Sequence, residues 1–514
     1  MSAARLLLLS YLLFKEAHAQ PGSFWHITDL HLDRTYNLTD APELVCASSN
    51  KRPAANAGKF GDYVCDSSWH LINSTVYAMK AILPDPDFIV WTGDNTPHVP
   101  DEDLGDEEVL NIISNLTHII KQVFPRTKVY SALGNHDYHP KSQLPARPNH
   151  IYNQTAAMWQ DWLDPESQET FKRGGYYTEK LLSRTGFRML VLNTNLYSDH
   201  NNLTVGMDDP AGQFLWADRV LSEAADNKEK VYVIGHIPPG FFEKKRGKPW
   251  FTPEFNQKYL DLIQKHHSVI LGQFFGHHHT DSFRMFYSAE DSPIGTMFLS
   301  PGVTPWKTTL PGVVDGANNP GIRVFEYDPQ TLLVKDVVTH YLNLTYANVA
   351  RGRWEKEYRL TESFRVPDAS PASMHQVLEL IANNHRYLQK YYEFNSVSYD
   401  RTECNRDCRV DHVCAARQVD FNSSNLYDSL PHSTVGCILD HGIAWKYNRG
   451  TETVRKKRSN ISFRQWKTSE IKGLMILCVD QVTRLKMFKV GEHPEGSAGV
   501  YPQRGGRQQG NVIR

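Results

Sequence analysis

Short apolar segments alternate with longer helix-compatible segments through most of this 514-residue chain. The apolar segments have the length of strands and lie at residues 24–27, 88–91, 129–133, 189–192, 231–234 and 269–275. Residues 69–82 and 107–123, between them, are suited to helices. Strands that alternate with helices predict an α/β architecture. Further strand-like runs at 296–299, 322–327 and 332–341 are expected to complete a second sheet.

Five of the apolar runs are followed directly by residue types that bind metals. The five motifs are Asp29-Leu30-His31, Gly93-Asp94, Gly134-Asn135-His136-Asp137, Gly235-His236 and Gly276-His277-His278-His279. In open α/β sheets, ligands collect beyond the carboxyl ends of the strands, so the five loops are expected to converge on one site. Each motif alone is weak, since a Gly-Asp after a strand is commonly a turn. Their joint occurrence at successive strand ends favours a metal site.

The donor chemistry of these motifs indicates two divalent ions. Carboxylate, amide oxygen and imidazole suit borderline-to-hard ions, and no thiolate is offered. Asp94 stands alone after its strand and is the natural bridging carboxylate. Two metals about 3.5–4 Å apart stabilise the attacking and leaving oxygens of an in-line displacement, and they activate a shared water as hydroxide.

These motifs and their surroundings resemble the calcineurin-like metallophosphoesterase superfamily. The segments FWHITDLHLD, IVWTGDNTPH, ALGNHD, VIGHIPPG, GQFFGHHHTDSFR and SPGVTPW are similar to the acid sphingomyelinase branch, and most of all to its sphingomyelinase-like phosphodiesterases of the b-type. The resemblance covers about residues 22–428.

The resemblance implies two zinc ions and two catalytic histidines. One zinc would be held by Asp29, His31, Asp94 and His279, and the other by Asp94, Asn135, His236 and His277. His98 and His136 match the family's catalytic histidines, which would stabilise developing charge and protonate the leaving oxygen. His278 falls on the variable position of the family's GHxH motif and is not counted as a ligand. Asp137 is expected to orient a neighbour.

The resemblance also implies a fold and a domain plan. The fold is a four-layer αββα sandwich of two mixed sheets, with a small helical, disulfide-stapled C-terminal subdomain. We assign residues 1–19 to a signal peptide, 20–345 to the catalytic domain, 346–428 to the subdomain and 429–514 to a divergent, poorly ordered basic tail. The implied disulfides are Cys46–Cys65 and Cys404–Cys408. Relatives pair the equivalent of Cys414 near the position of Asn425, so Cys414 is either free or paired with Cys437.

Several features predict a secreted glycoprotein. Residues 1–19 carry a short positive region, an apolar core and a small-x-small cleavage site. Eight Asn-x-Ser/Thr sites follow, at Asn37, Asn73, Asn115, Asn153, Asn202, Asn343, Asn422 and Asn460. The b-type relatives end in a hydrophobic tail for GPI attachment, whereas this chain ends in a basic one, which predicts a secreted form or one at the cell surface. Residues 455–458 form a basic run. It is interpreted either as a solvated charge run or as a protease processing site.

The expected activity is hydrolysis of phosphodiester or pyrophosphate bonds by metal-activated hydroxide, in small nucleotide-like or phosphocholine-containing substrates. Two alternatives stay open: a weakly catalytic lipid-binding or innate-immune modulator, and a phosphomonoesterase. A net charge of −1 gives no global field to attract nucleic acid polymers. We expect a monomer, with cell-surface membrane association in anchored relatives.

Overall fold

The computed structural model describes residues 21–181, 184–245, 247–350 and 352–421, together with the backbone of two short strands further on. The predicted signal peptide, the basic run at 455–458 and the rest of the predicted tail lie outside these residues. The two short strands, Met475–Cys478 and Lys486–Lys489, pair antiparallel and belong to a second compact unit. All residues discussed below belong to the first unit.

Twelve strands and eleven α-helices make up the described part of the first unit. The strands are β1 Gly22–Ile27, β2 Phe88–Trp91, β3 Lys128–Ser131, β4 Tyr177–Lys180, β5 Phe187–Val191, β6 Lys230–Ile234, β7 Ile270–Phe275, β8 Ser282–Tyr287, β9 Pro293–Leu299, β10 Gly321–Tyr327, β11 Val334–Leu342 and β12 Trp354–Arg359. The helices are α1 Trp69–Ile82, α2 Asp106–Val123, α3 His150–Met158, α4 Pro165–Gly174, α5 Gln213–Asp226, α6 Pro253–His266, α7 Leu344–Val349, α8 Leu360–Phe364, α9 Pro371–Asn383, α10 His385–Asn395 and α11 Arg406–Arg417.

The strands form two mixed six-stranded sheets, as predicted. The first has the order β12-β11-β10-β1-β2-β3, in which β1, β2 and β3 are parallel and β10 to β12 are antiparallel. The second has the order β4-β5-β6-β7-β9-β8, with β5, β6, β7 and β9 parallel. The predicted run at 296–299 lies in the second sheet. The runs at 322–327 and 332–341 were wrongly assigned to that sheet, because β10 pairs with β1 and β11 with β10.

Aromatic side chains fill the space between the two sheets. Phe24 of β1 packs edge-on against Phe274 of β7 at 5.3 Å, and Phe325 of β10 packs against Phe298 of β9 at 5.2 Å. Helices pack against both sheets, with α5 on β6 and α9 on β8 and β9 in the second sheet, and α8 on β11 and β12 in the first. This arrangement is the predicted four-layer sandwich. Among the described residues, no helix is long and apolar enough to cross a membrane.

The region after β12 contains the short helices α8 to α11, in agreement with the predicted helical subdomain. Asn384 separates two of them, since it ends α9 and caps α10 by accepting a hydrogen bond from the Arg386 backbone N–H. Both implied disulfides are present, Cys46–Cys65 and Cys404–Cys408. Cys414 is also disulfide-bonded, and Cys437, considered above as its partner, lies outside the described residues.

Candidate metal centre

The five predicted motifs meet at one edge of the sandwich. Each follows the carboxyl end of a parallel strand: β1, β2 and β3 in the first sheet, β6 and β7 in the second. Backbone hydrogen bonds then join the loops, from Asp29 N to Gly93 O at 2.9 Å and from Gly276 N to His236 O at 3.1 Å. All seven predicted metal ligands therefore lie in one cluster, most of them fully buried.

Most of these ligands sit in an unusual backbone conformation. The φ angle is positive at Asp29, His31, Asp94, His277 and His279, between 38° and 72°. Asp, Asn and His occupy this left-handed region more readily than other non-glycine residues. Residues held in sparsely populated conformations cluster at functional sites, because the surrounding structure must enforce them.

The first predicted donor set converges on the ring of His31. Its Nε2 atom lies 3.2 Å from His279 Nε2, 3.5 Å from Asp94 Oδ2 and 3.8 Å from Asp29 Oδ1. His279 Nε2 in turn lies 3.5 Å from Asp29 Oδ1. Four donor atoms thus surround a space suited to one ion.

The second predicted donor set shares Asp94 with the first. His236 Nε2 lies 3.1 Å from Asp94 Oδ2 and 3.2 Å from Asn135 Oδ1. One donor atom from each of Asp94, His236 and His277 falls within 4.8 Å of the others. A single carboxylate oxygen of Asp94 therefore faces both sets, as a bridging ligand would.

Hydrogen bonds at Nδ1 orient two of the imidazole rings with Nε2 directed into the donor sets. His31 Nδ1 donates to Thr96 O at 2.7 Å, and His236 Nδ1 donates to Thr92 O at 2.7 Å. A carbonyl oxygen only accepts, so Nδ1 carries the proton and Nε2 presents its lone pair to the site. Ligand histidines in metal sites are commonly held in this way.

Asp137 organises the loops without facing the donor sets. Its carboxylate accepts hydrogen bonds from the backbone N–H groups of Gly134, Asp94 and Asn95, at 2.8, 3.0 and 2.8 Å. The orienting role predicted for Asp137 fits this geometry. The loops also pack tightly, since a Cβ on Gly134 would lie 2.1 Å from Asp94 Oδ1.

Two observations indicate that this cluster suits metal ions. His277 is half-buried, yet both of its ring nitrogens are shielded from solvent and neither has a hydrogen-bond partner, and buried polar groups without a partner require an explanation. Burial, followed by the neighbouring His236, holds the pKa of His277 well below its usual range, so that the ring is neutral. Oxygen and imidazole donors surround both positions, so the residues present fit a dinuclear centre.

The two predicted catalytic histidines lie beside the first donor set. The rings of His98 and His136 are 4.4 Å apart, and that of His98 is 4.2 Å from that of His31. Burial lowers the pKa of His98 well below its usual value and that of His136 to about 3. Both rings are therefore neutral N–H donors near pH 7.

Sequence reasoning missed the groups that hold His98. Asp66 accepts hydrogen bonds from the His98 backbone N–H at 2.6 Å and from its Nδ1 at 3.0 Å. Trp306 stacks on the His98 ring with 3.7 Å between centroids and an interplanar angle of 5°. Thr304 Oγ1 donates to Asp66 at 2.9 Å. Asp66 follows a cysteine in a loop, outside any recognised motif, so no sequence signal marks it.

Two family models match this chain. Residues 22–281 match the family model for calcineurin-like phosphoesterases, and residues 292–430 match that for the C-terminal region of acid sphingomyelin phosphodiesterase. The chain is 60% identical to acid sphingomyelinase-like phosphodiesterase 3b of Mus musculus over 423 residues, which cover 81% of this chain and 92% of the relative. The chain belongs to the acid sphingomyelinase-like phosphodiesterases.

Other relatives share most of the length of this phosphodiesterase. The 3b protein of Homo sapiens is 57% identical over 81% of this chain and 93% of its own length. The cyclic GMP-AMP phosphodiesterase of Homo sapiens is 41% identical over 78% of this chain and 88% of its own length. These comparisons show the family of the chain and support its assignment as a hydrolase that acts on phosphodiesters.

The centre of this phosphodiesterase opens into a cavity of about 280 Å³. Its aromatic wall includes Phe242, Trp250 and Trp306, and two basic side chains, Lys141 and Lys244, also line it. Neither lysine lies in a motif, so neither could be selected from the sequence. Their place in the loops after β3 and β6 becomes visible only in the fold.

A buried ionic cluster supports the loop that carries His277 and His279. The carboxylate of Glu243 lies 2.8 Å from Arg284 Nη2 and 3.3 Å from His278 Nδ1. It also accepts hydrogen bonds from Thr280 Oγ1 at 2.5 Å and from Asn395 Nδ2 at 2.9 Å. Glu243 therefore joins the ligand loop, β8 and helix α10. The variable position of the GHxH motif, His278, has a structural partner in this cluster.

Proposed function

We propose that this protein is a zinc-dependent phosphodiesterase that hydrolyses small nucleotide-like or phosphocholine-containing substrates. The observation that carries the proposal is the shared carboxylate: Asp94 Oδ2 lies 3.5 Å from His31 Nε2 and 3.1 Å from His236 Nε2. Imidazole, carboxylate and amide donors without thiolate are compatible with zinc. The name of the cyclic GMP-AMP phosphodiesterase supports a nucleotide-like substrate.

Different residues of the chain would bind the metal ions, contact the substrate and position the contacting side chains. Two divalent ions, when bound, supply Lewis acidity and an activated water. Asp29, His31, Asp94 and His279 would hold one ion, and Asp94, Asn135, His236 and His277 the other. His98 and His136 would donate hydrogen bonds to the phosphoryl and leaving oxygens. Asp66 holds the His98 ring, with Nδ1 directed at its carboxylate.

The test compares metal content and hydrolysis of bis(p-nitrophenyl) phosphate in three proteins. The wild type should hold about two zinc ions per chain and hydrolyse the diester. Asp94→Asn should lose both metal and turnover. Asp85→Asn makes the same chemical change at an exposed side chain and should retain both. A folded wild type that binds no metal and hydrolyses nothing would replace this proposal with a binding role.

We also propose that the protein is a secreted or cell-surface glycoprotein. Two disulfides support an oxidising compartment. The asparagines of the six described Asn-x-Ser/Thr sites, Asn37, Asn73, Asn115, Asn153, Asn202 and Asn343, are all exposed or half-buried. Treatment of the secreted protein with an N-glycosidase should lower its mass. No mass change, or retention inside the cell, would contradict the proposal.

A further inference from the structure

A second cavity, of about 270 Å³, lies between the loop after β1 and the helices α1 and α2. It shares no lining residue with the cavity at the metal centre and is lined by Leu32, Asp33, Arg34, Tyr36, Trp69 and Asn115. Trp69, the first residue of α1, is 47% exposed, whereas every other tryptophan among the described residues is buried or half-buried. An exposed indole in a concave site offers an apolar surface that a ligand can cover.

The charged and polar side chains of this cavity already have partners. The Asp33 carboxylate accepts hydrogen bonds from Ser48 N at 3.0 Å and from Ser48 Oγ at 2.6 Å. Arg34 Nη1 donates to both carboxylate oxygens of Glu108, at 3.0 and 2.8 Å. The Tyr36 hydroxyl donates to a backbone carbonyl at 2.8 Å. The cavity therefore offers no unpaired charge to bind an ion, and it suits a neutral ligand with an apolar face.

Asn115 places such a ligand at the cavity by covalent attachment. It lies on α2, is half-buried, and is the acceptor of the sequence Asn115-Leu116-Thr117. An N-linked sugar on Asn115 starts from a side chain that itself lines the cavity. Because the sugar is tethered, its effective concentration at the indole is high, so a weak contact suffices to hold it there.

We propose that the first N-acetylglucosamine of an N-linked sugar chain on Asn115 packs in this cavity against the indole of Trp69. The inference rests on the proposed glycosylation of a secreted protein and adds to it the contact that the sugar makes. The apolar C–H face of the sugar ring covers the indole, and its acetamide and hydroxyl groups face water. The sugar thereby links α2 to the start of α1 and stabilises the fold.

Hydroxyl-radical footprinting with mass spectrometry measures whether the indole is covered. Three forms of the secreted protein are compared: the wild type, wild type trimmed by an endoglycosidase to one N-acetylglucosamine per site, and Asn115→Gln. Oxidation of Trp69 should be slow in the first two forms, and this protection should be lost in Asn115→Gln. The variant changes Asn115 because Thr117 Oγ1 accepts a hydrogen bond from the buried Trp159 at 3.0 Å, so a change at Thr117 would disturb the core.

The matched control is Asn153→Gln, which removes an exposed acceptor on α3. Oxidation of Trp69 should stay at the wild-type rate in this variant. If Asn115→Gln is not secreted, an N-glycosidase removes the sugar from wild type that has already folded, and the same loss of protection is expected.

A thermal-unfolding cycle measures whether the contact stabilises the protein. Trp69→Ala should lower the Tm by about 1–3 °C more in the glycosylated wild type than in the Asn115→Gln background, the size expected for one aromatic contact in a chain of this length. In the Asn153→Gln background, Trp69→Ala should lower the Tm as much as it does in the wild type.

The outcomes separate this inference from the proposed glycosylation. Equal oxidation of Trp69 in all forms, or additive changes in Tm, overturns the inference. Coupling of Trp69 to Asn73, an acceptor one turn further along α1, in place of Asn115 also overturns it, because another sugar would then cover the indole. Peptide mass spectrometry that finds Asn115 unmodified in an otherwise glycosylated protein rejects this inference alone, whereas a secreted protein without any N-linked sugar rejects the proposed glycoprotein as well.

Discussion

The buried pair Glu243–Arg284 offers the most direct test of how the ligand loop is held. Both side chains are fully buried, and Arg284 Nη2 lies 2.8 Å from the carboxylate. Glu243→Gln removes the negative charge but leaves the guanidinium in place. Breaking a buried ion pair in this way costs about 3–5 kcal/mol, since the remaining charge is uncompensated. We expect a loss of that size in the free energy of unfolding.

Urea unfolding of the metal-free protein measures this loss. The matched control is Glu169→Gln, which breaks the exposed pair with Lys172 and should cost less than about 1 kcal/mol. The double variant Glu243→Gln/Arg284→Met removes both charges and should recover part of the loss. Recovery should be incomplete because Thr280 and Asn395 also donate to the carboxylate.

The pH dependence gives a second check of the same reasoning. Although burial opposes it, the charge of Arg284 holds the pKa of Glu243 well below its usual value. A depressed pKa contributes stability that is complete above the unfolded value and is lost as pH falls through the folded one. The gap between wild type and Glu243→Gln should therefore be constant near neutral pH and close in acid. A loss at neutral pH no larger than that of Glu169→Gln would refute an ionised buried pair.

Three further predictions concern the centre itself. Asp66→Asn should lower kcat about 10-fold to 100-fold with metal content unchanged, as measured by diester hydrolysis and metal analysis, because it weakens the support of the His98 ring, whose catalytic role is proposed above. Burial lowers the pKa of His31 and His236, but nearby carboxylates outweigh it and raise these pKa values to about 9 and about 8. Because both values lie above the unfolded value of about 6.5, the metal-free protein should lose stability as pH rises from about 6.5 to 9. Zinc binding should instead release protons, and the zinc affinity should increase over the same pH range. Calorimetry in buffers of different ionisation enthalpy measures both effects, and a pH-independent affinity would contradict this prediction. Gly93→Ala should destabilise the fold by more than about 2 kcal/mol in urea unfolding, since φ is +87° and the new Cβ would lie 2.3 Å from a backbone nitrogen. The control is Gly105→Ala, whose new Cβ meets nothing within 4 Å and which should cost much less.

The convergence of the five motifs was predicted better from the sequence than the arrangement of the strands that carry them. The ligand motifs are local, because each directly follows an apolar run, and the helix α1 was predicted at its observed bounds. Strand partners are set by contacts across the chain: Gly22 pairs with Tyr327, and no local pattern specifies this. Asp66 and Glu243 were missed for the same reason, since each acts on residues distant in sequence.

The left-handed backbone at five ligand positions has a consequence for anyone who would transplant this centre. Each such residue costs about 1–3 kcal/mol, so five together cost roughly 5–15 kcal/mol, comparable to the net stability of a whole domain. Side chains copied onto relaxed loops of another scaffold would point elsewhere. A successful graft must carry the turns with their packing, including the carboxylate of Asp137 that binds three backbone N–H groups. The set of loops, with its backbone conformation, must therefore be transferred to the new scaffold together with the ligand side chains.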